Sequence, residues 1–172
     1  MSTVRAIQTF DAQLVEASLT RPSDTTQYAA GEVISAVTTN DHYTFAEMGD
    51  PRKLTGQIDR AIITSSDAAG TLPDLELWLF DTEIAEVADN AAFAPTDAEI
   101  LTLVGVLLFP VASWKVGLVT TGNSFCEATN TMPFRYKTGP TLALYGQLVV
   151  RNTYTPVSAQ VFKTRMYIRR DV

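Results

Sequence analysis

His42 is the only histidine in the chain and lies beside Asp41 in the polar run Thr38-Thr-Asn-Asp-His-Tyr43. An imidazole next to a carboxylate is the base end of a Ser-His-Asp relay. Such a relay also needs a serine on a strained turn, and the Gly-x-Ser-x-Gly pattern that builds one does not occur. The expectation for His42 is therefore a surface-loop histidine. Cys126 is equally alone, between Phe125 and Glu127 on a β-like stretch, and reads as a small buried hydrophobe. One His and one Cys leave no Cys/His zinc cluster, no intramolecular disulfide and no redox pair.

The carboxylates are more numerous, nineteen in all. Asp74 and Glu76 share a face of one extended segment, about 7 Å apart by strand geometry. That approaches the separation at which two carboxyl groups hydrolyse a glycosidic bond, and Trp78 stands nearby as a stacking platform. Any acid-rich strand offers such a pair, however, and spacing does not create the environment that raises one pKa. Asp81, Glu83, Glu86 and Asp89 supply oxygens for calcium but lack the Asp-x-Asp-x-Asp-Gly loop. Neither Gly-x-Gly-x-x-Gly nor Gly-x-x-x-x-Gly-Lys-Ser/Thr is present to cradle a phosphate. The residues thus predict no catalytic, metal or cofactor site, and a chain that is not an enzyme.

Around these residues the chain is rich in apolar material and poor in charge. Of its 172 residues 46% are hydrophobic and 19% charged, enough for a core and too little charge for disorder. That length suits one domain. The net charge of −6 argues against nucleic acid as a partner, since phosphate binding needs clustered Lys and Arg. It is unevenly spread. Residues 59–99 hold ten acids and one base, whereas residues 132–172 hold seven bases and one acid. The two segments either compensate each other within one fold or form faces that meet between subunits. The longest apolar stretch, Val104 to Trp114, is interrupted by Gly105 and Pro110 and is half the length of a membrane span. Met1 to Phe10 carries no apolar run of signal-peptide length, so the expected place of synthesis is a cytoplasm.

The segments that must position these side chains are mostly strands. Strand periodicity appears over Glu32–Val37, Gly56–Ser66, Leu72–Phe80, Val106–Lys115, Met132–Lys137, Thr141–Arg151 and Ala159–Arg169. Leu75, Leu77 and Leu79 alternate with Asp74, Glu76, Trp78 and Phe80, which predicts a core face and a face that becomes covered along the strand. In the last strand Lys163, Arg165 and Tyr167 alternate with Phe162, Thr164, Met166 and Ile168. Thr96 with Glu99 has capping-box spacing, and Gly105 stands where a glycine would end the short helix of about two turns that follows Thr96. Residues 1–20 form either a strand or an arm; residues 21–172 form the domain. The fold class is all-β, a single antiparallel β-sandwich of jelly-roll type with one short helix. The 23 threonines agree with it.

Three segments carry a resemblance: Arg21-Pro-Ser-Asp-Thr-Thr-Gln-Tyr-Ala-Ala-Gly-Glu-Val33; Leu72-Pro-Asp-Leu-Glu-Leu-Trp-Leu-Phe-Asp81 with Ile84 to Asp97, in which Ala-Asp-Asn-Ala-Ala-Phe-Ala-Pro-Thr-Asp spans 88–97; and Leu144-Tyr-Gly-Gln-Leu-Val-Val-Arg-Asn-Thr-Tyr-Thr-Pro-Val-Ser-Ala159. Together they resemble virion structural proteins of tailed bacteriophages, in particular capsid decoration (cement) proteins. The likeness is one of whole-segment pattern and contains no catalytic signature. It implies a homotrimer on the outer surface of a phage head, with the major capsid protein as partner and neither nucleic acid nor membrane involved. Arg151, Arg165, Arg169 and Arg170 are the expected subunit or capsid contacts, because a guanidinium forms bidentate carboxylate pairs that survive partial burial. The alternative is a jelly-roll receptor- or carbohydrate-binding component of a tail fibre or baseplate, with Trp78 or Trp114 as the stacking platform. A phage hydrolase using Asp74 and Glu76 is a third.

Overall fold

Eleven strands, one turn of α-helix and a short 3-10 turn make up the computed structural model, which describes residues 11–36, 42–67, 72–116, 123–130 and 132–171. In chain order the strands are β1 (Asp11–Thr20), β2 (Val33–Ile34), β3 (Tyr43–Phe45), β4 (Thr55–Ser65), β5 (Leu75–Phe80), β6 (Leu103–Phe109), β7 (Lys115–Val116), β8 (Ser124–Glu127), β9 (Phe134–Lys137), β10 (Leu144–Val150) and β11 (Val161–Arg170). They form two antiparallel sheets, β1-β11-β4-β8-β7 with β9 also on β4, and β2-β10-β5-β6 with β3 also on β10.

The pairing is nested. β1 pairs with β11, β2 and β3 with β10, β4 with β8 and β9, and β5 with β6. Successive nested pairs alternate between the two sheets, as when a long hairpin is rolled up, and β11–β4 and β10–β5 pairing joins them. That is the jelly-roll order expected from the sequence. Asp11–Thr20 lies inside it as an edge strand matched residue for residue with Val161–Arg170; residues 1–10 lie outside the described residues.

The core follows from strand parity. Leu75, Leu77 and Leu79 of β5 are fully buried with Leu107 and Phe109 of β6 and with Leu144 and Leu148 of β10. From the other sheet Ile58, Ala61, Ile63, Phe162, Met166 and Ile168 are buried in the same cluster. Each such side chain contributes about 1.5–3 kcal/mol when withdrawn from water. Gly146 on β10 leaves a socket: a β-carbon there would lie 2.9 Å from Leu77 Cδ1 and 3.0 Å from Phe45 Cε2.

β4 keeps neither parity throughout, and the cause is a bulge. Tyr167 pairs with Arg60 and Ile168 with Ile58, leaving Asp59 as the extra residue. Ile58 therefore faces the core before the bulge and Ala61, Ile63 and Ser65 after it.

Several expectations are corrected. The helix is α1 (Asp97–Ile100), one turn rather than two. Its capping box is present, with Glu99 N–H donating to Thr96 Oγ1 at 3.2 Å and Thr96 N–H donating to Glu99 Oε2 at 2.7 Å. The chain enters β6 at Leu103, so Gly105 is a mid-strand residue instead of a helix stop. The Phe134 ring packs on it, with Cζ only 2.3 Å from where a β-carbon would stand. Val106–Lys115 is not one strand either: β6 ends at Phe109, and Val111–Ser113 forms the 3-10 turn. His42 is buried rather than on the surface, its ring edge-on to Tyr145 with centroids 5.7 Å apart, and Tyr43 next to it opens β3. Cys126 is fully buried, as expected. Burial pushes its thiol up to about 11, and the charges of Asp74 and Glu127 add to the rise. The native protein is therefore expected to leave a thiol reagent unconsumed at pH 8 and to consume one equivalent in denaturant; rapid native labelling would contradict this burial.

Candidate interaction surface

The two sheets differ in what covers their outer faces. On the five-stranded sheet, residues that point away from the core are still enclosed: Val33, Tyr145, Gln147 and Val149 are all buried. The segment between β5 and α1 folds back along β2, through Val33 N–H to Ala91 O at 2.9 Å and Phe93 N–H to Gly31 O at 2.8 Å. Phe93 meets Trp78 edge-on at 5.4 Å, and His42 meets Tyr145. Gly31, at φ +92°, makes the turn into β2 that brings this segment alongside.

The six-stranded sheet keeps a more open outer face, and strand register sets its composition. One row across it reads Leu14, Tyr167, Arg60; the next Glu16, Arg165, Ile62, Glu127; the next Ser18, Lys163, Thr64, Phe125, Lys115. Leu14, Tyr167, Phe125 and the neighbouring Val116 are exposed apolar side chains on or beside it. Between them stand ion pairs. Arg60 grips Glu127 with two bonds of 2.8 and 3.0 Å, its guanidinium 5.9 Å from the Tyr167 ring centroid. Arg169 grips the bulged Asp59 with bonds of 2.6 and 2.8 Å. Glu16 lies between Lys163 and Arg165, the latter at 3.4 Å, so one carboxylate answers two cations. Exposed pairs of this kind add little to stability, about 0–1 kcal/mol in the usual case. Their effect here is to hold long side chains in place on an open face that also carries apolar contact area.

These pairs have a pH signature. The hydrogen bond from Lys163, aided by the charges of Lys163 and Arg165, holds Glu16 below its ordinary 4.5. The Arg169 bond does the same to Asp59, below 3.8. Backbone bonds from Ala85 and Thr96 lower Glu99. A carboxyl depressed in the folded state stabilises it above the unfolded pKa, and that stabilisation is lost as pH falls through the folded value. Denaturant melts are expected to show stability level near neutrality and declining below about pH 4.5. A Glu16→Gln variant should decline less; an equally steep decline would contradict this assignment.

The four arginines expected at contacts do not lie together. Arg165 and Arg169 share the outer face of β11. Arg151 is on the other sheet, where its Nε lies 3.4 Å from Glu76 Oε1. Arg170, at the end of β11, donates to Glu47 O at 3.4 Å. The Arg169–Asp59 and Arg151–Glu76 pairs also join the acidic and basic segments of the sequence within one chain.

The proposed glycosidic pair has other engagements. Glu76 accepts from Trp78 Nε1 at 2.9 Å and faces Arg151, while the backbone of Asp74 bonds to Asn152 Oδ1 and to Arg151 N–H. Both tryptophans are at least partly covered. Trp78 packs on Phe93, and Trp114 is buried with its Nε1 donating to Pro73 O at 2.8 Å. Among the described residues no group of three or more His, Cys, Asp or Glu is placed to hold a metal ion.

The centre that sequence reasoning missed is Arg21, the first residue of the first resemblance segment. It is fully buried at one end of the sandwich. Its Nε donates to Tyr28 Oη at 2.6 Å, and Tyr28 Oη donates to Asp89 Oδ1 at 2.6 Å. Its Nη2 reaches Asp89 Oδ2 at 3.3 Å and Asp24 Oδ1 at 3.2 Å, and its Nη1 reaches the Asp24 and Val157 carbonyls. Burial alone would lower the Arg21 pKa; the contacts with Tyr28, Asp89 and Asp24 outweigh it and raise the value. Tyr28 stacks on Tyr154, centroids 6.1 Å apart, and Tyr154 Oη bonds to Gln160, whose Nε2 donates to Ser65 Oγ. Residues from all three segments of the resemblance meet in this knot: Arg21, Asp24 and Tyr28; Asp89; Tyr154 and Val157. Asp89 is far from Arg21 in sequence, so no local spacing could have shown it.

No protein-family model matches the chain, and no characterised protein matches it in sequence. Among solved structures, it is similar to a chain of the capsid asymmetric unit of cyanophage Pam1, at 8% identity and a TM-score of 0.36, over 99% of this chain and 91% of that one. It is also similar to a chain of turnip yellow mosaic virus, at 9% identity and a TM-score of 0.28, over 98% of this chain and 86% of that one.

Proposed function

We propose that this chain is a structural virion protein, a homotrimeric decoration protein that binds the outer surface of a tailed-phage head and stabilises it. The observation that carries the reading is the open face of the six-stranded sheet, where ion-paired side chains and exposed apolar ones alternate in register. The resemblance of the three segments to phage decoration proteins supports it. A stiff sandwich with one covered and one open face suits clamping: many equivalent sites need only modest affinity each, and bound protein stabilises the assembled head by mass action. Leu14, Tyr167 and Arg165 supply the contact with the major capsid protein. Arg165 is the best placed of the four arginines, because it shares Glu16 with Lys163 and so leaves positive charge for a partner carboxylate. No observation favours the tail-fibre reading, whose tryptophans are engaged in packing.

The test is cosedimentation with heads assembled without this protein. Saturable binding is expected, together with a higher temperature of head rupture. The double variant Arg165→Glu/Tyr167→Ser should lose both while remaining folded. Retention by host polysaccharide with no binding to heads would overturn the reading in favour of a receptor-binding module.

A further inference from the structure

The most exposed large apolar side chain among the described residues is Leu101, 88% exposed at the end of α1, with Ile100 beside it at 42%. The one-turn helix thus ends in Ile100, about half covered, and Leu101, which its own chain leaves almost bare. The chain leading into it is acidic: residues 81–99 contain six acids and no base, while Arg135 and Lys137 of β9 lie beside Leu103 on the other side. Asp89 is held in the Arg21 knot and Glu99 in the capping box, while Glu83, Glu86 and Asp97 are exposed. Ala85 N–H donates to Glu99 Oε1 at 2.8 Å, which fixes the Glu83–Glu86 stretch against α1. The result is an apolar knob with an acidic rim.

A groove of about 390 Å³ lies on the other sheet, lined by Phe125, Val161, Thr64 and Lys163 with Ser65 and Ser124 at its back. Phe125 is 43% exposed there. In register it has Lys115 on one side and, across Thr64, Lys163 on the other. The groove is thus apolar, with Lys115 and the Glu16-bound Lys163 on its rim. It sits where β4 ends and β11 begins, marked by Ser66 N–H to Val161 O at 3.0 Å. The knob belongs to the opposite end of the strands, where Gly139 N–H bonds to Asp81 O and Asp171 N–H to Thr55 O.

We infer that the Ile100–Leu101 knob of one copy seats in the Phe125–Val161 groove of a second copy, with Glu83, Glu86 and Asp97 facing Lys115 and Lys163. Opposite sheets and opposite ends make this a head-to-tail contact, in which each copy uses one knob and one groove. An apolar anchor in a pocket supplies the affinity, and the opposed rims set the register. The inference deepens the decoration reading by naming the subunit contact and rests on it for its setting.

The experiment is size-exclusion chromatography with light scattering on the full chain and two variants, Leu101→Asp and Phe125→Asp. Both positions are exposed, so both variants should melt close to the unmodified protein. The unmodified chain is expected to self-associate, and each variant to weaken association by about thirtyfold or more, the size of a lost hot spot. Mixed in equal amounts, the variants should form a 1:1 dimer and nothing larger, since one contributes an intact groove and the other an intact knob. A monomeric unmodified chain, variants that still associate, or a mixture that stays monomeric would each overturn the inference. Head binding is scored separately with Arg165→Glu/Tyr167→Ser. Association through Leu101 without head binding removes only the decoration reading, and head binding by a monomer removes the knob and groove together with the homotrimer but leaves head decoration standing.

Discussion

Replacing Arg21 with Met is expected to cost the fold about 3–5 kcal/mol, because it leaves a buried carboxylate without its cation. Arg21 uses all three of its nitrogens, on Tyr28, Asp89, Asp24 and Val157, and Asp89 gives one oxygen to Tyr28 and Ser35 N–H and the other to the guanidinium. A drop in Tm on the order of 10 °C corresponds to that loss for a domain of this size. Arg21→Lys should recover little, since an ammonium has no planar fork to span three partners. Arg21→Met combined with Asp89→Leu should be more stable than Arg21→Met alone, because removing the stranded charge removes the largest part of the cost. Thermal melts of the four proteins check this. Equal stability of Arg21→Met and the unmodified chain would show that the knot does not hold this end of the sandwich closed.

Leu77→Ala is expected to cost about 2–5 kcal/mol through the cavity it leaves between the sheets. Gly146→Ala should cost about 1–3 kcal/mol for the opposite reason, since its methyl would stand 2.9 Å from Leu77 Cδ1 and 3.0 Å from Phe45 Cε2. The two changes are coupled. In the double variant the Gly146→Ala methyl enters space that Leu77→Ala has vacated, so the combined loss should fall short of the sum by roughly 1 kcal/mol. Denaturant unfolding of the three variants measures that coupling. Strict additivity would mean that Leu77 and residue 146 do not share one space, contrary to the packing described.

The contrast between these two sites shows where the sequence is readable. Leu75, Leu77 and Leu79 alternate with Glu76 and Trp78, and Phe162, Thr164, Met166 and Ile168 alternate with Lys163, Arg165 and Tyr167. In both strands the period-2 pattern is the burial pattern, because each lies in a sheet with one face on the core. Gly146 carries no such signal: its lack of a side chain matters only because Leu77 and Phe45 arrive from other strands. β4 was legible as a strand but not in its faces, since the Asp59 bulge shifts parity partway along and is set by pairing with β11. The capping box at Thr96 and Glu99 was legible because it is local. The length of α1 was not, because sheet pairing claims the chain from Leu103 onward.

The candidate surface follows the same division. The basic side of β11 could be read from alternation, yet the partners Glu16 and Asp59 come from strands far away in sequence. Arg151 has the same residue chemistry as Arg165, and only topology puts it on the other sheet. His42 was misread because a short polar run looks like a surface loop when the segments that cover it are not adjacent in sequence, and Arg21 was passed over because its partner Asp89 is equally remote.

The most direct test of the central claim is an image of the virion at a resolution that places this chain. Its density is expected on the outside of the head, at threefold and quasi-threefold positions, with Leu14, Arg165 and Tyr167 at the contact with the capsid shell. Density on the tail or baseplate, or a particle that lacks the chain altogether, would contradict it.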